Sequence, residues 1–485
     1  MKPHPFFIIV SLFFFSAVYF SCSESSPGGN QDHICIYEEN PFYWTYKGKP
    51  LVLAGGSKED NLFNHPDNLE DHLDLLKSCG GNYIRNTMSS RNPGNPWAFK
   101  KLENGLYDLE QWDEVYWSRF KDLLDLCVER DIIVQVEIWD PWDYFKTEAP
   151  LGYGPQNVGW ESCPFNPALN INYSADETGL ATEIDYYSKH SATDHVFFHT
   201  VPELKDIPVV RKYQEKFVRK IFSISLDYPN VLYCMNNEIG EPAEWGEYWA
   251  RFIRLIAEEA GKKVFLTDMR RNSDFGSDEQ EKLLYDREHY DYFEISQNNA
   301  NNGQQHYNMV LSVREKVKDN PKPLNNVKIY GGTIQRWTTS VEEGTQRFWR
   351  NIFAGCASVR FHREGPSDHY FGIGLSKLAQ THIKSMWMFT QEFQVFKSNP
   401  TNDLLSDREP NEAYCLAGRK NQFAVYFTNG GEVYFNGSAM REINVKWLRI
   451  SENQWLEEET VKGSRKISLK PPGNGQWVAL VILSE

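Results

Sequence analysis

The run Val231-Leu232-Tyr233-Cys234-Met235-Asn236-Asn237-Glu238 ends in an amide and a carboxyl group. Tyr228-Pro229-Asn230 bounds it upstream, so it reads as a buried parallel strand that finishes on an acid. In a (β/α)8 barrel the C-terminal strand ends build the active face. A glutamic acid placed there can protonate the leaving oxygen of a sugar, and Asn237 beside it can hold a sugar hydroxyl. Cleaving a glycosidic bond usually needs a second carboxylate, as nucleophile or as base for water. Four acids stand at expected strand ends. Glu364 follows Arg360-Phe361-His362-Arg363, and Asp140 follows Glu137-Ile138-Trp139. Asp268 ends a fifth strand, and Glu294 lies within Phe293-Glu294-Ile295-Ser296-Gln297. Glu294 and Glu137 lie deeper along their strands and suit a buried polar network with an arginine.

Further polar groups fall at the same expected rim. Arg85 and Asn86 end a second strand, Gln297 a sixth, and His362 and Arg363 an eighth. A guanidinium forks onto carboxylates, so Arg85 can orient a catalytic acid, bind an acidic sugar or simply close an ion pair. Trp139, Trp142, Trp160 and Trp337 fall at or beyond strand ends, where a ring can carry a sugar face or pack a loop. Of His190, His195 and His199 only the last two have i, i+4 spacing, and there is no H-E-x-x-H motif. Neither a metal site nor a cofactor is expected, and no glycine-rich phosphate loop or Ser-His-Asp pattern occurs.

The elements that must hold these groups alternate. Strand patterns run over Leu51–Ser57, Asn82–Met88, Ile132–Asp140, Val231–Glu238, Val264–Asp268, Tyr292–Gln297, Lys328–Gly332 and Ser358–Arg363. Helical patterns separate them, clearest at Leu69–Ser78, Trp112–Glu129, Val209–Ser225, Ala243–Ala260, Tyr307–Val317 and Val341–Ala354, with a last one near Leu375–Thr390. Eight such units predict an α/β fold, a (β/α)8 TIM barrel over residues 41–393. A hairpin with a Lys47-Gly48 turn precedes it and is expected to close the barrel bottom. The long segment Pro141–Pro208 is expected to build much of a pocket. From residue 394 to 485 short alternating strands, split by Gly, Asn and Pro, predict a small antiparallel β-sandwich.

The chain has 485 residues and a net charge of −15, which argues against a nucleic-acid partner. Residues 1–21 carry Lys2 and the apolar run Phe6 to Phe20, too short to span a bilayer and typical of a signal peptide. Cys22 follows at once, and the tether over 22–40 begins Ser23-Glu24-Ser25-Ser26-Pro27-Gly28-Gly29-Asn30. This resembles a bacterial lipoprotein signal with Cys22 as the lipidated residue. It implies anchoring in the outer membrane or periplasm by that lipid alone, with plain secretion as the alternative. No C-x-x-C pair occurs among the eight cysteines, and Cys79, Cys127, Cys234 and Cys356 read as small buried hydrophobes.

Asn237-Glu238 resembles the acid/base motif of clan A glycoside hydrolases. The segment Lys470-Pro471-Pro472-Gly473-Asn474-Gly475-Gln476-Trp477-Val478-Ala479-Leu480 looks like the last strand of a small sandwich often described as collagen-binding. Together they are similar to the apiosidase-like family of barrel proteins. The resemblance implies a glycosidase acting on a complex polysaccharide or oligosaccharide. One departure matters: clan A enzymes carry their nucleophile Glu at the end of strand seven, whereas here Lys328-Ile329-Tyr330-Gly331-Gly332-Thr333-Ile334-Gln335 holds no carboxylate. Glu238 is therefore expected to act as general acid/base with a non-standard partner, Glu364 first and Asp140 second. The alternative is a catalytically inactive barrel that binds glycans at the cell surface.

Overall fold

The computed structural model describes residues 32–145, 159–184, 195–333, 339–365, 369–419, 421–436, 442–462 and 465–483. Cys22, His190 and Trp337 lie outside the described residues. The fold is mixed α/β, built on parallel strands. These are β1 (Leu53–Gly56), β2 (Tyr83–Thr87), β3 (Ile133–Trp139), β4 (Val231–Asn236), β5 (Leu266–Thr267), β6 (Phe293–Glu294), β7 (Leu324–Asn325) and β8 (Ser358–Phe361). Six of them form one curled sheet in the order β5-β4-β3-β2-β1-β8, and β6 pairs with β7 in a second. Backbone bonds link the two sheets: Asp291 N–H donates to Leu266 O at 2.8 Å and Ala357 N–H to Leu324 O at 2.8 Å.

A helix follows each strand, because apolar residues recur at helical spacing and leave a stripe that must be buried. The helices are Leu69–Ser78, Glu114–Glu129, Pro208–Ser225, Ala243–Glu259, Asp278–Tyr285, Gly303–Lys316, Val341–Phe353 and Lys377–Glu392. Several starts are fixed locally. Asp113 accepts from Tyr116 N–H at 3.0 Å, and Ser340 accepts from Glu343 N–H at 3.0 Å. The short helix Asp278–Tyr285 and a hairpin over Phe99–Lys101 and Tyr107–Trp112 went unread in the sequence pattern.

Strand seven lies upstream of its expected position. Ladder pairing sets Leu324 and Asn325 beside Phe293 and Glu294, so Lys328 lies past the end of β7 and not at a strand start. Only Ile329 of the expected strand makes a bridge, to Phe361. The chain ahead of β1 behaves as expected. Trp44–Tyr46 and Lys49–Leu51 pair through a turn at Lys47 (φ 50°) and Gly48 (φ 69°). Trp44 is buried against Phe265 and Tyr292, at the N-terminal ends of β5 and β6, and its indole donates to Asn325 Oδ1 at 3.0 Å.

Beyond residue 394 two antiparallel sheets share a core. The larger holds Ala413–Ala417, Gln422–Phe427, Trp477–Leu483 and Glu442–Arg449 as successive neighbours, and the smaller holds Val433–Phe435 and Ile467–Leu469. Val425, Phe427, Phe435, Trp447, Leu469 and Val481 meet between them. The other face of the larger sheet packs on the helices after β6, β7 and β8. Tyr426 stacks on Trp349 at 5.7 Å, and Tyr414 meets Tyr307 at 4.2 Å.

Candidate active site

Strand β4 ends at Asn236, two residues before Glu238. Backbone bonds hold the turn that follows: Asn237 N–H donates to Trp139 O and Glu238 N–H to Met269 O, both at 2.9 Å. Ile239 then bridges to Arg270. Between these ties Glu238 adopts φ 53°, a left-handed conformation that costs a non-glycine residue energy and clusters at functional sites. The turn puts the Glu238 carboxylate at the rim, with 27% of its side chain exposed.

The partner it meets is a lysine. Lys328 Nζ lies 2.7 Å from Glu238 Oε1 and also donates to Asn237 Oδ1. Gln297 Nε2 donates to Glu238 Oε1 at 2.6 Å. Burial pushes the Glu238 carboxyl up, but the Lys328 ammonium and the Gln297 amide outweigh it and hold the group below its ordinary 4.5. Burial, set against the Glu238 charge, holds the Lys328 ammonium below its ordinary 10.5. At neutral pH Glu238 is therefore a carboxylate, and Lys328 lies against it within hydrogen-bond distance. Lys328 is not among the expected site residues, because the ladder sets strand seven at Leu324–Asn325, upstream of the run that its strand-like residues suggest. The signal was present: a lone lysine inside an apolar, strand-like run.

A buried charge network lies under this pair. Arg85, fully buried, contacts Asp60 at 2.7 Å and Glu137 at 2.7 Å. Asp60 also meets Arg363 at 2.9 Å, Arg360 at 3.7 Å, and Arg91 and His362 at 3.8 Å each. Burial raises the Asp60 carboxyl, but the guanidinium groups of Arg85, Arg363 and Arg91 carry it well below the ordinary carboxylate range. Burial together with the neighbouring Arg363 keeps His362 neutral, despite the Asp60 charge. Arg91 reaches Asp140 at 2.5 Å, and Asp140 accepts from Asn237 Nδ2 at 3.2 Å. A continuous chain of contacts thus runs from Asp60 through Arg91, Asp140 and Asn237 to Lys328 and Glu238. Asp60 and Arg91 are likewise outside the expected site residues. Asp60 sits in a polar loop, Ser57-Lys58-Glu59-Asp60, whose burial no local pattern announces.

The other expected site residues divide. Gln297 and Asn237 join Glu238, and Arg363 lies nearby with its guanidinium over Phe371 at 4.9 Å. His362 packs on Tyr330 at 4.3 Å. Glu364 is half-buried beyond β8. Asp140 is 1% exposed, tied to Arg91, and caps the turn Pro141–Tyr144. Asn86 is buried and accepts from Phe63 N–H at 3.1 Å, so it holds the β1–β2 region together instead of facing the rim. Trp139 is likewise no platform for a sugar. It is fully buried among Phe197, Phe217, Trp245 and Trp249, because Phe197, the helix Pro208–Ser225 and the helix after β4 close over it. Trp160 is buried too, with its indole donating to Ala181 O at 2.8 Å. Asp268 contacts Arg270 at 3.2 Å in a buried cluster with Glu241. Glu294 accepts from Ser296 and Val327 N–H, and burial, with the Glu137 charge adding to it, pushes its carboxyl up to about 7.

The geometry yields one kinetic expectation. In Lys328→Met the charge that holds Glu238 low is gone while burial remains, so the Glu238 carboxyl rises. If its protonated form does the work, the alkaline limb of the kcat/KM profile moves up by about 1–3 pH units. Measuring that profile for both proteins checks it, and a shift of the acid limb instead would assign Glu238 the role of a base.

No protein-family model matches the chain, and no curated protein does. Solved structures share its fold. A glycoside hydrolase family 5 protein from Bacteroides vulgatus superposes with a TM-score of 0.61 at 13% identity, over 93% of this chain and 94% of that one. A glycoside hydrolase family 5 mannosidase from Rhizomucor miehei gives 0.51 at 13% identity, over 76% of this chain and 100% of that one. At such identities the likeness is one of fold.

Proposed function

We propose that this protein is a glycoside hydrolase acting on a complex polysaccharide or oligosaccharide, with Glu238 as general acid/base. The observation that carries the reading is the position of Glu238. It is a partly exposed carboxylate on a left-handed turn at the end of β4, between Asn237 and Gln297 and in contact with Lys328. Glu364 is the second carboxylate, because it is half-buried at the β8 end whereas Asp140 is sealed and paired with Arg91. The substrate is a carbohydrate, and Arg363 and His362, which both contact Asp60, are its further binding groups.

The architecture that goes with this reading is a closed (β/α)8 barrel over 41–393 and a β-sandwich over 394–485. The backbone links between the two parallel sheets and the core shared by the two C-terminal sheets support it. Kinship with the apiosidase-like barrels rests on Asn237-Glu238 and the final strand Trp477–Leu483. A signal over 1–21 and a lipid on Cys22 would tether the enzyme to the outer membrane or leave it in the periplasm.

A second reading has its own observation. Lys328 stands past β7, where clan A enzymes carry a carboxylate, and this favours an inactive barrel that only binds glycans. Incubation of the purified chain with a panel of plant and host polysaccharides and their oligosaccharides separates the two. New reducing ends, with the product anomer read by NMR, support the hydrolase. Saturable binding with no release across the panel supports the binding protein.

A further inference from the structure

The opposite face of the parallel sheets, at the N-terminal strand ends, carries a cleft of about 580 Å³. It lies between the Lys47-Gly48 hairpin, the loop before β2 and the helix Lys377–Glu392. Trp387 forms one wall and is 46% exposed, beside Tyr46, Leu51 and Cys79. The ring lies against Gly80, whose φ is 83°; a Cβ there would meet the Trp387 side chain at 2.6 Å. The main chain at Gly80 therefore backs the indole and holds it across the cleft.

Charge gathers around that ring. Lys47, Lys49, Lys77 and Lys384 line the cleft against a single acid, Asp131. Asp131 contacts Lys47 at 2.5 Å and Lys77 at 3.9 Å. Lys49 and Lys384 have no acidic partner within ion-pair distance among the described residues. This local excess of positive charge stands on a chain of net charge −15. Tyr46 also lines the cleft, and its buried hydroxyl makes no hydrogen bond among the described residues.

A ring beside unpaired ammonium groups fits one ligand chemistry well. The C–H face of a sugar packs on an indole, and a carboxylate or sulfate on the same sugar pairs with lysine. We propose that this cleft is a second carbohydrate site, remote from Glu238, that takes an acidic oligosaccharide. Trp387 stacks the ring, Lys49 and Lys384 hold the acid group, and Asp131 accepts hydroxyls. The proposal does not depend on catalysis at Glu238 and stands if the barrel proves inactive.

The test uses the full chain labelled with fluorotryptophan, the Trp387 signal being assigned by its loss in Trp387→Ala. Titrants are an oligogalacturonate, a neutral malto-oligosaccharide of equal length, and vesicles of anionic phospholipid. The Trp387 signal is expected to shift with the oligogalacturonate alone. Lys384→Glu, on an exposed helix position, should weaken that event about tenfold or more. Both variants should leave turnover of a short soluble substrate unchanged. A Trp387 signal unmoved by oligogalacturonate overturns the proposal. An equal response to the neutral sugar, or a response to vesicles alone, overturns it as well, the latter marking a membrane-facing surface.

Discussion

Glu238→Gln is expected to lower kcat/KM by about 10²–10⁴-fold while leaving the fold intact. Glutamine matches the shape of glutamate and can keep the same left-handed turn, since the ties at Asn237 and Glu238 N–H are main-chain bonds. It can also still accept from Gln297. What it cannot do is deliver a proton, and positioned acid/base groups are worth roughly that factor. The variant strips Lys328 of its counter-charge, but the ammonium is already held low by burial and keeps Asn237 as an acceptor. The unfolding midpoint should therefore move little. A second comparison isolates the role. A substrate whose leaving group needs no protonation should lose far less rate than the natural glycan. Equal loss on both substrates would make Glu238 a nucleophile or a binding group, and equal rates in variant and wild type would remove it from the mechanism.

Much of this architecture is legible in the residues, and the misreadings have a common cause. Ala413–Ala417, Val433–Phe435 and Trp477–Leu483 end where alternation and turn residues place them, because both signals are local. The strand-four acid is legible for the same reason: an apolar run with one charged end has few other uses. Strand seven is not, because Lys328-Ile329-Tyr330 has more strand character than Leu324-Asn325, and only pairing with β6 selects the latter. That slip hid Lys328. Trp139 sits at a strand end in sequence, but aromatics drawn from Phe197, Trp245 and Trp249 seal it from far along the chain. Asp60 and Arg91 are joined to Arg85 only through space. Each of these depends on contacts between distant segments, which spacing along one segment does not encode.

Arg85 is the residue on which this through-space part of the site depends most, and Arg85→Met should cost about 3–5 kcal/mol of stability at neutral pH. The arginine is fully buried between Asp60 and Glu137 at 2.7 Å each. Methionine fills comparable space, so packing changes little, but Glu137 is left as a sealed carboxylate whose remaining side-chain hydrogen bond among the described residues comes from Gln135 Nε2 at 3.4 Å. Asp60 keeps Arg363 at 2.9 Å and so suffers less. Urea unfolding of Arg85→Met and of Arg85→Met/Glu137→Gln separates charge from packing. The double variant removes the orphaned charge and should recover a large part of the loss. The pH dependence gives an independent check. Asp60 titrates well below its ordinary 3.8 in the folded protein, chiefly because Arg85 and its cationic neighbours overcome burial. Its contribution to stability is therefore complete above about pH 4 and is lost as the pH falls through the folded value. Without Arg85 the folded value rises, so acid unfolding should begin at a higher pH than in the wild type. A stability loss under about 1 kcal/mol with an unmoved acid transition would show that the network tolerates the gap, and that Asp60 is held by Arg363, Arg91 and Arg360 without Arg85.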